Sequence, residues 1–338
     1  MKTVKLNYIG VGSYFNKEQN LIYDILKGKG YDVQITDDPD YLFCDSFTEN
    51  PYEYCGHPQV RIMYSGENYI PDFNLIDYAI SPYPVQFGDR HFHLPACVWP
   101  RAHWMDIANK NRGGVDAEIV KNKQYFANFI SSHESEYSIR GDFFKRLCEY
   151  KRVESPGTYL NNMPNGETVD WLNDSKSEFQ RKCKFTLCFE STNHYGFVTE
   201  KLMDAFYADT IPIYYGSPTA AEIFNKDAFI NVADYDSFDA AIEKIIELDQ
   251  NDEKYLQMLR QPILVDPDYP RRLEEELTEF VCHIFDQPLE KAYRRSRVYR
   301  PKNCDDYLAR AVDSDKLTMA NLISRILKKI CNKLTGRG

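Results

Sequence analysis

Residues 184–218, KFTLCFESTNHYGFVTEKLMDAFYADTIPIYYGSP, constrain the fold more than any other stretch of the chain. The apolar run 185–189 ends at Glu190 and suits a buried strand. Residues 191–196 are small and polar and read as a loop. Thr199 is a candidate N-cap, after which Leu202, Ala205 and Phe206 recur at helical spacing. Residues 210–215 form a second strand, stopped at Gly216. Strand, loop, helix and strand in this order make a parallel βαβ unit, which puts the loop and the first helical turn at the carboxyl edge of a sheet. Open α/β sheets bind ligands at that edge, and a helix N-terminus there favours an anion.

Glu200 and Lys201 occupy that first turn. A carboxylate complements the helix dipole and can accept hydrogen bonds from sugar hydroxyls. A lysine at the same end opposes the dipole, which is tolerable when the ammonium faces a bound phosphate. The same two residues would also suit a solvated helix face.

The rest of the first half alternates the same way. Strands are expected at 4–9, 33–36, 41–44, 60–64 and 76–80, and a helix at 17–26. This is the pattern of a doubly wound α/β domain. Gly10-Val11-Gly12 follows the first strand, but Phe15 stands where a dinucleotide fingerprint has its third glycine, so the segment reads as a tight turn rather than a nicotinamide site. Composition shifts after Trp104, and the Gly-rich, charged segment 109–116 reads as a linker between domains 1–112 and 113–300. The second half opens with a strand at 125–130 and continues with helices at 141–150 and 238–248 and a strand at 228–232.

No apolar run is long enough to cross a bilayer, and the N-terminal segment is too short and polar for a signal peptide and reads as a strand. Nine scattered cysteines without a CxxC pair suit reduced thiols in a cytoplasmic protein and give no zinc spacing. His91 and His93 share a strand face without a suggestive third ligand, and Asp37-Asp38-Pro39-Asp40 reads as a solvated turn rather than a magnesium site. A net charge of −10 argues against nucleic-acid binding. Residues 316–338 carry six basic and no acidic side chains beside an apolar stripe from Met319 to Leu334. This segment, part of a C-terminal tail 301–338, either lies on an anionic membrane surface, making the protein peripheral on the inner face of the cell membrane, or docks on its own protein.

Residue by residue, 184–218 resembles the donor motif of the GDP-fucose-dependent α-1,3/4-fucosyltransferases of bacterial type. The matching residues are Cys188-Phe189-Glu190, Tyr195-Gly196, Val198-Thr199-Glu200-Lys201, Asp204-Ala205, Ile211-Pro212-Ile213-Tyr214 and Gly216-Ser217-Pro218. Tyr64-Ser65-Gly66-Glu67-Asn68, with Asp77-Tyr78-Ala79-Ile80 and Asp89-Arg90, looks like the acceptor-domain signature, and Arg140 with Phe144 and Leu147 like the segment carrying a phosphate-binding arginine. The resemblance covers residues 1–290 or so. It implies the GT-B fold, two Rossmann-like domains facing across a cleft. It also implies an inverting transfer of fucose from GDP-β-L-fucose, a co-substrate, with no metal or other cofactor.

The resemblance assigns Glu67 as general base, Arg140 and Lys201 to the diphosphate and Glu200 to the ribose. Glu190, Ser191, Tyr195 and Phe197 belong to the donor pocket. The expected acceptor is an oligosaccharide of LacNAc type, fucosylated on the 3-hydroxyl of GlcNAc as in Lewis x. Ser191 replaces a usual asparagine, and Phe197 a frequent tyrosine, so the donor pose is open. The alternatives are a GT-B transferase using another nucleotide sugar and a noncatalytic module holding GDP or glycans.

Overall fold

The computed structural model describes residues 1–45, 52–134, 139–170 and 173–313. The basic segment 316–338 and its two readings lie outside the described residues. The chain divides into two compact units. Of the described residues, the first comprises 1–45, 52–81, 85–93 and 276–313, and the second 82–84, 94–134, 139–170 and 173–275.

The first unit is built on a six-stranded parallel sheet. Its strands are β1 (Thr3–Ile9), β2 (Asp32–Ile35), β3 (Tyr41–Cys44), β4 (Val60–Tyr64), β5 (Tyr78–Ser81) and β6 (His91–His93), in the order β2-β1-β3-β4-β5-β6. β3 and β5 are buried at every position, and β4 at all but its last residue, as expected of parallel strands covered on both faces. The first helix, Leu21–Gly28, begins four residues later than the sequence reading because the Asn20 side chain accepts the Tyr23 N–H at 3.1 Å and caps it there. β5 also starts late, since Leu75 and Ile76 donate to the Asp72 carbonyl and close a turn first.

The second unit holds a five-stranded parallel sheet of β7 (Tyr125–Phe129), β8 (Val153–Glu154), β9 (Cys183–Phe189), β10 (Ile211–Tyr215) and β11 (Ile230–Asn231). Its order is β11-β10-β9-β7-β8. Phe129, Phe143, Phe185, Phe189, Ile213 and Ile245 fill one contiguous core against this sheet. β11 is only two residues long, because the Asn231 side chain accepts the Ala233 N–H and turns the chain. Both sheets share a doubly wound pattern in which the chain reverses direction beside the first strand, between β1 and β3 and between β7 and β9. These are the two parallel α/β units of the GT-B class.

The division of the chain differs from a single boundary at 112. Residues 109–116 do not form a free linker. Lys110 donates to the carbonyl of Tyr207 at 2.7 Å and pairs with Asp209, while Arg112 is buried over the Phe206 ring. These contacts fasten the segment to the second unit. At the other end, the helix Tyr269–Asp286 starts in the second unit and continues into the first, where Phe285 packs on Tyr41 and Phe43. Arg294 and Arg295 then converge on buried Asp77, which accepts both their backbone N–H groups at 2.7 Å.

Candidate active site

In the second unit, four of the singled-out residues gather at the carboxyl edge of the sheet where β7 and β9 part. Glu190 is the first residue after β9 and is 1% exposed. Its carboxylate accepts the backbone N–H of Thr199 at 2.8 Å and the Thr199 hydroxyl at 2.7 Å. Thr199 therefore stands at the expected N-cap position in extended backbone, but its side chain makes no capping bond to the helix. The helix Glu200–Tyr207 thus begins with its first N–H groups uncapped by Thr199, at the sheet edge.

Lys201 closes the group. Its Nζ lies 3.3 Å from Glu190 Oε2, 3.4 Å from Glu200 Oε1 and 3.0 Å from the Thr199 hydroxyl. Burial pushes the Glu190 carboxyl up, opposed by the Lys201 charge. Burial also acts to raise Glu200, but Lys201 and Lys176 outweigh it and hold that carboxyl down at about 2. Lys201 is itself raised, as its two carboxylate neighbours overcome its desolvation. The ammonium is thus held charged at the positive end of a helix, where the dipole disfavours it. Lys176, braced on Asp204 at 2.6 Å, adds a second positive charge near Glu200 that sequence reasoning missed. Its position in the helix Ser175–Arg181 gave no spacing signal.

Arg140 is the first residue of the helix Arg140–Cys148, which follows β7. It is buried, donates to the His133 carbonyl, and lies 5.9 Å from the Tyr159 ring centroid. Burial lowers its affinity for the proton, offset by the charges of Glu134 and Glu190 among others. Tyr195 is exposed and Phe197 buried, with Gly196 between them at φ +83°. A β-carbon at Gly196 would stand 2.4 Å from Pro84, so glycine is required there on two counts. Ser191 is half-buried in the same loop. With Phe197 buried, the missing tyrosine hydroxyl is one that would need a partner inside the protein.

Glu67 lies in the first unit, three residues beyond β4, and its N–H bonds the Ser65 hydroxyl at 3.1 Å. The loop after β1 comes to the same edge. Gly10 adopts φ +69°, and a β-carbon on it would meet the Asp45 carbonyl oxygen at 2.2 Å. The Phe15 N–H closes the turn on the Gly12 carbonyl at 3.0 Å, so this segment is the tight turn its sequence suggests. Tyr14 thereby stands near Asp45 and Glu67, whose charges add to burial in raising its phenol. Tyr14 and Asp45 escaped the sequence reading because only the pairing of β1 with β3 and β3 with β4 brings them beside Glu67.

Among the described residues, no group of three or more His, Cys, Asp or Glu side chains is arranged to hold a metal ion. His91 bonds the Ser81 hydroxyl at 3.0 Å, and burial holds its imidazole down at about 4. Asp37 and Asp38 are exposed in their turn. The eight described cysteines are unpaired. No described helix is long and apolar enough to cross a membrane.

Residues 120–300 match the C-terminal model of glycosyltransferase family 10 (fucosyltransferase). The chain belongs to that family. Residues 6–99 of this family-10 chain also match the N-terminal domain of the α-(1,3)-fucosyltransferase FucT group. It is 34% identical over 227 residues to the α-(1,3)-fucosyltransferase FucT of Helicobacter pylori, covering 59% of this chain and 46% of that protein. It is 32% identical over 135 residues to α-(1,3)-fucosyltransferase B of Drosophila melanogaster, covering 38% of this chain and 30% of that one. The family-10 chain thus spans half or less of the length of these curated relatives. Crystal structures of an α1,3-fucosyltransferase superpose with a TM-score of 0.65 at 25% identity, covering 82% of this chain and 90% of that one. Complexes with GDP and with GDP-fucose superpose at 0.63 and 0.62, each covering 82% of this chain and 91% of the other, with 27% and 26% identity.

Proposed function

We propose that this protein is an inverting α-1,3-fucosyltransferase that moves L-fucose from GDP-β-L-fucose to the 3-hydroxyl of GlcNAc in a LacNAc-type acceptor. The first unit takes the acceptor and the second takes GDP-fucose. The observation that carries this reading is the group of Arg140, Glu200 and Lys201 at the β7/β9 edge, with family membership and relatives crystallised with GDP and GDP-fucose.

Inversion needs one base and no covalent intermediate. Glu67 takes the proton of the attacking hydroxyl as that oxygen bonds to the anomeric carbon. The bond from that carbon to the diphosphate breaks, and GDP leaves with the electron pair. Arg140 grips the phosphate oxygens through its planar fork, Lys201 acts as a point charge, and the helix N-terminus adds its dipole. These groups supply the charge stabilisation that a metal gives in other transferases, so turnover is expected to be metal-independent. Glu200, held ionised by Lys201 and Lys176, accepts hydrogen bonds from the ribose hydroxyls. Glu190 positions Thr199 and Lys201 from beneath, with Ser191, Tyr195 and Phe197 forming the surrounding loop.

The test is turnover of GDP-fucose with LacNAc, run against GDP-mannose and UDP-sugars, with the product linkage read by NMR and a chelator included. Fucose transfer to the 3-position, unaffected by chelation, is expected. Transfer from another nucleotide sugar in preference to GDP-fucose would overturn the reading.

A further inference from the structure

A cavity of about 270 Å³ opens in the first unit, lined by Arg61, Asn74, Arg295, Arg297, Lys302 and Asp305 among others. It sits beside the start of β4, at the amino edge of the sheet, whereas Glu67 follows the carboxyl end of that strand. Its cations differ in how they are used. Arg61 spends its guanidinium on Asp305 and on the carbonyls of His57 and Leu75. Arg295 pairs with Asp77 and donates to the carbonyls of Gln59 and His57. Lys302 pairs with Asp306 at 2.5 Å, at an exposed site.

Arg297 is different. Its guanidinium lies 3.4 Å from the centroid of the Tyr293 ring, and Arg295 lies 4.1 Å from the same centroid. Among the described residues, no carboxylate pairs with it. The ring holds the fork in place while leaving its N–H edge available, which lowers the ordering cost of gripping an oxyanion with two parallel hydrogen bonds. The two carboxylates in the lining are matched by Arg61 and Lys302, so Arg297 is the surplus charge of the cavity in a chain whose net charge is −10. Val298 and Tyr299, directly beside it, are 69% and 78% exposed.

We propose that this cavity binds a phosphate-class oxyanion through Arg297. The anion is the phosphate of a soluble phosphomonoester or of an anionic lipid headgroup. The exposed Val298 and Tyr299 suit the lipid source. The site is independent of the transfer reaction.

The experiment uses the full chain in two arms. In the first, inorganic phosphate is titrated at constant ionic strength against chloride, and stabilisation is read by thermal shift. In the second, co-sedimentation is measured with phosphatidylcholine vesicles with and without phosphatidylglycerol. Wild type is expected to give a saturable phosphate response. Arg297→Ala should weaken it about tenfold, the worth of one charged hydrogen-bonding partner. Arg297→Lys should recover it only partly, because an ammonium lacks the fork. Lys29→Ala, at an exposed lysine outside the cavity lining, should match wild type.

A loss of vesicle binding in Arg297→Ala assigns the lipid source. A phosphate response that depends on Arg297, without such vesicle binding, assigns a soluble phosphoester. Equal phosphate and vesicle responses in wild type and Arg297→Ala would overturn the proposal, including the case in which vesicles bind through another segment.

Discussion

Replacing Lys201 with Met should damage both stability and turnover, and a second substitution separates the two effects. The side chain of Glu190 is fully buried, and Lys201 Nζ stands 3.3 Å from it. Two unit charges at that separation attract by about 5 kcal/mol at an effective dielectric of about 20. Lys201 is 27% exposed, which weakens the pair. Breaking a buried pair by removing one partner costs about 3–5 kcal/mol, and we expect the lower end, about 3 kcal/mol. That corresponds to a fall on the order of 8 °C in the melting of the second unit.

The loss has a defined pH dependence. Burial already raises the Glu190 carboxyl above its ordinary value of 4.5, and Lys201 opposes that rise. Without the lysine the folded-state value climbs further. A carboxyl with a raised folded value costs stability once it ionises. The Glu190 part of the Lys201→Met deficit should therefore widen as pH rises through the wild-type Glu190 transition and level off above the variant's own, on top of a smaller deficit from the lost Glu200 contact that fades only as pH falls from about 4.5 toward 2. Adding Glu190→Gln removes the stranded charge, keeps an acceptor for the Thr199 N–H, and should restore most of the stability. Fucose transfer should stay about 10²- to 10³-fold down in both variants, since a cation for the leaving diphosphate is missing. Thermal melts from pH 4 to 8 and a GDP-fucose assay measure all of this. A pH-independent deficit, or a double variant no more stable than the single one, would refute the argument.

Glu67→Gln should lower turnover by about 10²- to 10⁴-fold, as expected for a lost general base, while leaving GDP affinity by calorimetry unchanged. A fully active variant would remove Glu67 from the reaction. Asp77→Ala strips a buried carboxylate from the backbone N–H groups of Arg61, Arg294 and Arg295, and should cost about 3–5 kcal/mol in denaturant melts. Gly196→Ala forces a side chain into φ +83° against Pro84 and should destabilise the loop by about 1–3 kcal/mol. A melt equal to wild type would show that the loop relaxes without cost.

The local elements were legible because periodicity and capping report them directly. β3 and β4 fall where their apolar runs lie, and the strand, helix and strand of residues 184–218 emerge as β9, Glu200–Tyr207 and β10. The boundaries that moved did so through single side-chain bonds, such as Asn20 to Tyr23 and Asn231 to Ala233, which compete with helix and strand pairing and leave little trace in hydrophobic pattern.

The sequence by itself determined the parallel α/β class, the donor-motif helix and the identity of its charged residues, since each depends on neighbours a few positions apart. Tertiary structure decided what those charges do. It buried Glu190 beneath Lys201, brought Lys176 toward Glu200, set Tyr14 and Asp45 near Glu67, and tied residues 109–116 to the second unit and residues 276–313 to the first. These relations come from strand order and from burial, which pair residues tens to hundreds of positions apart and alter their proton affinities through desolvation. No local pattern in the chain encodes either quantity.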